Sequence, residues 1–192
     1  GNDGKFWARR VLVVKIRDPL VLVYETLKKA IQTVHGQDFL VFDDFPTADS
    51  YRKQNRNAAN ISFVSASSEK GLMREWIPHK EIKNRDDFTV ATETLRLEYV
   101  IQISFFANRK GIAQRLSTKF IHYKEEKNEL PLVGDAWQES MHVFLLYPPA
   151  PPEGDTDLWQ VNQTWQCSAK LLTEKVVQEV KQMNFTGKIK NS

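Results

Sequence analysis

Residues 93–107 place an apolar side chain at every second position: Leu95, Leu97, Tyr99, Ile101, Ile103 and Phe105. Arg96, Glu98, Gln102 and Ser104 fall between them. A period of two marks a long strand with one buried face. After Ala107 the period changes. Ile112, Leu116, Phe120 and Tyr123 recur every three to four residues, with lysines and arginines between them, as in an amphipathic helix. Asn108 stands where an N-cap is expected, because its side-chain oxygen suits an amide of the first turn. A long strand that feeds directly into a helix is a strong scaffold signal and says nothing yet about chemistry.

Other elements can be placed around this pair. Asp18-Pro19 starts a helix, with Asp as cap and Pro at the first helical position. Leu20, Val23, Leu27, Ala30, Ile31 and Val34 give it an apolar stripe, and Gly36 stops it in a left-handed C-cap. Short strands are expected at 39–42, 61–66 and 142–147. A second long alternating strand is expected over 158–171. There Trp159, Val161, Trp165, Cys167, Ala169 and Leu171 face one way, and Gln160, Asn162, Thr164, Gln166, Ser168 and Lys170 the other. That second face is polar yet almost uncharged. It suits the wall of a lumen or a contact between subunits as well as plain solvent.

The remaining segments are less regular. Residues 1–17 read as an N-terminal arm carrying Phe6, Trp7, Arg9 and Arg10, with a short strand at 11–16 as one option. Long loops are expected at 46–60, 67–92 and 148–157, with an irregular hairpin as the other reading of 67–87; the last opens with Pro148-Pro-Ala-Pro-Pro152, which removes amide donors. Thr173 caps a last helix with Val176, Val177, Val180 and Met183 on one side, and 184–192 is a polar tail. These elements describe one α+β domain over 18–183. Its mainly antiparallel sheet is flanked by the N-terminal helix and by the helix after the central strand.

Composition narrows function more than it names it. A net charge of +3 on 192 residues is too small for a dedicated nucleic-acid binder. One cysteine, Cys167, excludes an internal disulfide framework and a cysteine-rich zinc site. No apolar run reaches the roughly 18 residues of a membrane span, and the first ten residues carry no signal-peptide pattern. The Asn-x-Ser/Thr triplets at Asn60, Asn162 and Asn184 therefore read as chance matches.

Catalytic constellations are thin. Asp43-Asp44, Asp86-Asp87 and Glu81-Ile-Lys83 offer the carboxylates and lysine of a metal-dependent nuclease. Such a site needs rigid strands to fix its ligands, and Glu81 falls in the least regular part of the sequence; solvated loop charges are the plainer account. His35, His79, His122 and His142 show no zinc-ligand spacing, and His35 and His122 suit helix C-termini. No nucleophile elbow and no phosphate-cradling glycine loop is present. Arg52, Lys53 and Arg56, and Arg109, Lys110 and Arg115, give weak phosphate attraction only. No catalytic, cofactor or metal residue is assigned.

The layout resembles the terminator, or head-to-tail completion, proteins of tailed bacteriophages. An amphipathic helix at 19–35 precedes short strands at 39–42 and 61–66. An Arg-x-Glu-Tyr-x-Ile-x-Ile strand, Arg96 to Ile103, runs into the helix 112–123, and the alternating strand 158–171 closes the sheet. The resemblance covers about residues 18–171. It implies a structural virion protein, assembled in the host cytoplasm, that forms a hexameric ring joining the tail tube to the neck connector. It also implies non-specific contact with DNA passing through the lumen, and neither catalysis, cofactor nor membrane. Interface residues expected on this reading are Phe6, Trp7, Arg9, Arg10, Arg52, Lys53, Arg56, Pro149, Pro151 and Pro152. The alternatives are a small metal-dependent nuclease and an adaptor domain of unknown partner.

Overall fold

A computed structural model describes residues 5–16, 18–43, 56–70, 80–83, 87–135 and 137–184. The protein is α+β, with a curled, mostly antiparallel sheet. The chain divides into two compact units, one of residues 18–69 and 96–169, the other of residues 1–17, 70–95 and 170–192. We call them the helical and the terminal unit. The expected single domain over 18–183 is thus divided, with its loop region 70–95 and its last residues grouped with the arm.

The helical unit holds both helices. Helix α1 (Pro19–His35) begins as its sequence dictates: Asp18 is extended, its Oδ1 accepts from the Leu20 amide at 3.0 Å, and Pro19 is the first helical residue. The helix stops at Gly36, whose amide donates to the Gln32 carbonyl at 2.9 Å. The glycine lies at φ 117°, ψ 150°, not in the expected left-handed helical well. Helix α2 (Lys110–Glu125) runs longer than its apolar period. Its N-cap is Arg109, with no side-chain cap bond, so the cap expected at Asn108 is not formed.

The strands of the helical unit are β2 (Leu40–Phe42), β3 (Ala58–Lys70), β5 (Asp87–Ala107), β6 (Glu129–Pro131), β7 (Ser140–Leu145), β8 (Glu153–Gly154) and β9 (Trp159–Asn184); β3, β5 and β9 extend beyond it. Their order is β2-β3-β5-β9-β7-β6, with β8 on β9. Strand β2 pairs parallel to β3; β6 with β7, and β7 and β8 with β9, pair antiparallel.

Alternation decides which face meets the helices. Ile101, Ile103 and Phe105 of β5, Ile61 of β3, Trp165 and Cys167 of β9 and Met141 of β7 join Val23, Leu27 and Ile31 of α1 and Phe120 of α2 in one buried cluster. Both helices therefore cover the same face. At roughly 25 cal/mol per Å² of apolar area removed from water, this cluster dominates the stability of the unit. Thr26 ties its rim together. Its hydroxyl donates to the Leu22 carbonyl at 2.6 Å and accepts from the Val133 amide at 3.0 Å.

The terminal unit differs from the expectation. Residues 5–16 are not a loose arm but a strand, β1 (Lys5–Ile16). It pairs antiparallel with β9 from Ile16↔Thr173 to Lys5↔Asn184. The helix expected after Thr173 is the last part of that same strand β9. Within the expected loop 67–92 lie the end of β3, strand β4 (Lys80–Lys83) and the start of β5. Strand β4 pairs antiparallel with β5, Lys83↔Phe88 to Lys80↔Ala91. The expected loop 46–60 contains the first residues of β3, and 148–157 contains β8. The tail 185–192 lies outside the described residues.

Candidate functional site

The face of the sheet opposite the helices is the most unusual surface of the helical unit. On β5, Gln102 and Ser104 alternate with the buried isoleucines. On β9, Gln160, Asn162, Thr164, Gln166 and Ser168 alternate with buried Val161, Gln163, Trp165, Cys167 and Ala169. On β3, Asn60 and Ser62 alternate with Ala59 and Ile61 of the core. The centre of this face carries no charge. Charged groups stand off its centre: Arg96 and Glu98 on β5, and a Glu129–His142 pair at 3.1 Å between β6 and β7.

These polar side chains bond to one another. Ser104 Oγ donates to Asn162 Oδ1 at 2.7 Å, and Gln160 Nε2 donates to the same oxygen at 2.6 Å. Asn60 Nδ2 donates to Ser62 Oγ at 2.8 Å. Mutual bonding holds short polar groups in fixed rotamers and leaves a wall of amide and hydroxyl groups. Asn60 of the first Asn-x-Ser/Thr triplet is fully buried. One end of the face is apolar, where Ala58 and Phe106 pack with Leu40, Phe42 and Leu158.

The expected interface residues fall in both units. Phe6, Arg9 and Arg10 lie on β1, in register with Met183, Glu179 and Gln178 of β9, and Trp7 sits at a register shift between Phe6 and Ala8. Arg52 and Lys53 lie outside the described residues. In the helical unit, Arg56 precedes β3 at one end of the strand order. Exposed Pro151 and half-buried Pro149 and Pro152 follow β7 towards the other end. Within the helical unit, Arg56 and the prolines thus adjoin different strands.

An open cleft of about 540 Å³ lies at the end of α1, lined by His35, Asp38, Phe39 and Arg56 among others. Arg56 Nη2 donates to the Asp38 carbonyl at 2.5 Å. The His35 ring packs on Phe39 at 4.9 Å and on Phe105 at 5.5 Å. Burial pushes the His35 imidazole below its ordinary pKa; the Leu116 backbone bond pulls the other way, and Lys119 adds to the depression. Its Nε2 is buried and has no hydrogen-bond partner among the described residues.

The sign of the His35 effect is fixed. The unfolded chain takes up the proton first, so stability is fully present above about pH 6.5 and is lost as pH falls towards the depressed folded value. Denaturant midpoints are expected to drop between pH 7.5 and 5.5, and the drop should shrink in His35→Phe. An equal drop in the variant would assign it to other groups.

Elsewhere the chemistry is quiet. Burial pushes the Cys167 thiol up to about 12, against the pull of Lys124, so it remains an inert thiol. Lys110 sits 5.7 Å above the Trp159 ring, which makes it a packing group at the start of α2. Glu81 and Lys83 stand on β4 in register with Val90 and Phe88, a regular setting where an irregular one was expected. Among the described residues no three His, Cys, Asp or Glu side chains are grouped to hold a metal ion. Among them, too, no helix is long and apolar enough to cross a membrane.

The fold and this face define an α+β protein with both helices on one side of a sheet and, on the other, an uncharged polar centre of half-buried side chains with Asn60 and Ser104 fully buried. No protein-family model matches the chain, and no curated protein matches it.

Proposed function

We propose that the protein is a structural subunit that assembles with copies of itself into a ring at the tail–neck junction of a tailed-bacteriophage virion. The helix-free sheet face is the observation that carries this reading. A wall that surrounds passing DNA must not hold it. A cationic wall binds phosphate through counterion release, and an anionic one repels it. Uncharged Asn, Gln, Ser and Thr side chains that already bond to each other do neither. The order of elements resembles that of the terminator proteins. On this reading the partners are copies of the chain, the tail tube and the neck connector, with only non-specific DNA contact. No catalysis, cofactor or metal belongs to it.

The placement of Glu81 and Lys83 on a strand keeps a metal-dependent nuclease as the second reading, since strands are what such a site requires. One preparation separates the two. Electron microscopy and native mass spectrometry of the purified full chain should show closed rings, hexameric if the resemblance holds. The same sample should leave supercoiled plasmid intact with Mg²⁺ or Mn²⁺. A monomer at every concentration removes the ring reading. Metal-dependent cleavage that disappears in Glu81→Ala replaces it with the nuclease.

A further inference from the structure

Among the described residues, two three-residue strands leave the ends of the helical unit's sheet only partly covered. At one end β2 pairs with Ala58, Ala59 and Asn60 of β3. Strand β3 continues to Lys70, and among the described residues none pairs with that side beyond Asn60. At the other end β6 pairs with Ser140, Met141 and His142, while β7 continues to Leu145. Residues 62–68 of β3 contain no charge and no proline. Edges are ordinarily shielded by lysine, proline, a bulge or a covering element, because a bare edge templates another strand.

The two edges also share an apolar signature. Val64 is 60% exposed, Phe144 56% and Tyr147 65%. Val64 shares its face with Asn60 and Ser62, and Phe144 with His142, so both stand on the helix-free face, one at each end of the strand order. An exposed valine on β3 and an exposed phenylalanine on β7 are unfavourable separately, and complementary if the edges meet.

We propose that a second copy of this chain covers these edges head to tail: the 62–68 edge of β3 in one copy hydrogen-bonds the 143–145 edge of β7 in the next. The sheet then continues from copy to copy, and Val64 and Phe144 become neighbours across the junction on one face. Each copy uses two different edges, so the contact is heterologous and closes into a ring or extends as a filament. The Glu129–His142 pair lies beside the junction and meets no like charge from residues 62–68 of β3. The inference rests on the ring-forming reading and names its contact.

Cysteine cross-linking tests it. Cys167 is fully buried and supplies no competing surface thiol. Full-length Val64→Cys and Phe144→Cys chains are purified, mixed and mildly oxidised. Ser62→Cys and Ala66→Cys step the register along the same face, and His142→Cys replaces Phe144→Cys if that variant misfolds. The expected result is a disulfide between β3 of one chain and β7 of the other, formed only in the mixture, and a covalent ladder from the double variant V64C/F144C. Links that join β3 only to β3 would show a two-fold contact and overturn the proposal. No β3–β7 link at any position in a preparation that is oligomeric by native mass spectrometry means the edges are covered otherwise, while the ring reading stands. A preparation that is monomeric throughout ends both.

Discussion

Phe120→Ala is expected to destabilise the helical unit by about 3–5 kcal/mol. Phe120 is fully buried on the inner side of α2. Its ring lies 5.7 Å from Phe105 of β5 and 5.8 Å, edge-on, from Trp165 of β9. One side chain therefore joins the helix to two strands. Truncation removes the burial of a phenyl ring and two aromatic contacts, each worth about 0.5–1.5 kcal/mol beyond area. It also leaves a cavity whose walls are strand residues held by their ladders, which collapse poorly. Phe120→Leu retains most of the volume and should cost about half as much. Leu116, a half-buried neighbour on the same helix, touches the same cluster from its margin and should cost less than Phe120. Urea titration followed by tryptophan fluorescence measures the loss, with an unchanged slope confirming that the folded and unfolded states are otherwise comparable. A loss below about 1 kcal/mol would mean that α2 is not held to the sheet through this residue.

The elements that sequence made legible are those with long uninterrupted periods. The alternation through Ile101, Ile103 and Phe105 marks the buried face of β5, and all three are fully buried. Asp18-Pro19 marks the start of α1, because a cap is local chemistry. The polar face of β9 also stood out, since uncharged residues at every second position are uncommon on solvated strands.

The failures have physical causes. Strand β1 pairs with β9 across register shifts between Phe6 and Ala8 and between Val11 and Val13, and each shift breaks the period of two. Its partner lies at the opposite end of the sequence, so no local pattern points to it. Val176, Val177, Val180 and Met183 do have helical spacing, yet they pair with Val13, Val11, Ala8 and Phe6. Three β-branched valines were the available signal, and long-range pairing outweighed a short apolar period. The arrangement of Glu81 and Lys83 on β4 was hidden in the same way: a four-residue strand is too short to show a period. At Asn108 the helix starts one residue later than the capping residue suggests, with Arg109 as its N-cap.

Gln163 is the functional-looking residue that pattern reading passed over, and its replacement by leucine should cost about 2–5 kcal/mol. It occupies an apolar position of β9 and is fully buried. Its Nε2 donates to the Ser117 carbonyl at 2.9 Å and to Ser117 Oγ at 2.7 Å; its Oε1 accepts from Trp165 Nε1 at 2.9 Å. Leucine matches the volume but leaves the Trp165 donor unpaired and removes both bonds to Ser117, and an unsatisfied buried group costs about 1–3 kcal/mol. A purely steric role predicts the opposite, because leucine in an apolar site is ordinarily neutral or stabilising. Gln163→Glu separates the two accounts further. A carboxylate would turn an acceptor towards the Ser117 oxygens and bury a charge, so the folded state would hold the proton more tightly than the unfolded one. Stability of that variant should therefore fall as pH rises from 5 to 8, with the loss complete above the raised folded pKa. Denaturant titrations of both variants at pH 5 and pH 8 provide the measurement. A leucine variant as stable as the parent, or a glutamate variant no weaker at pH 8 than at pH 5, would show that Gln163 does not bond α2 to β9.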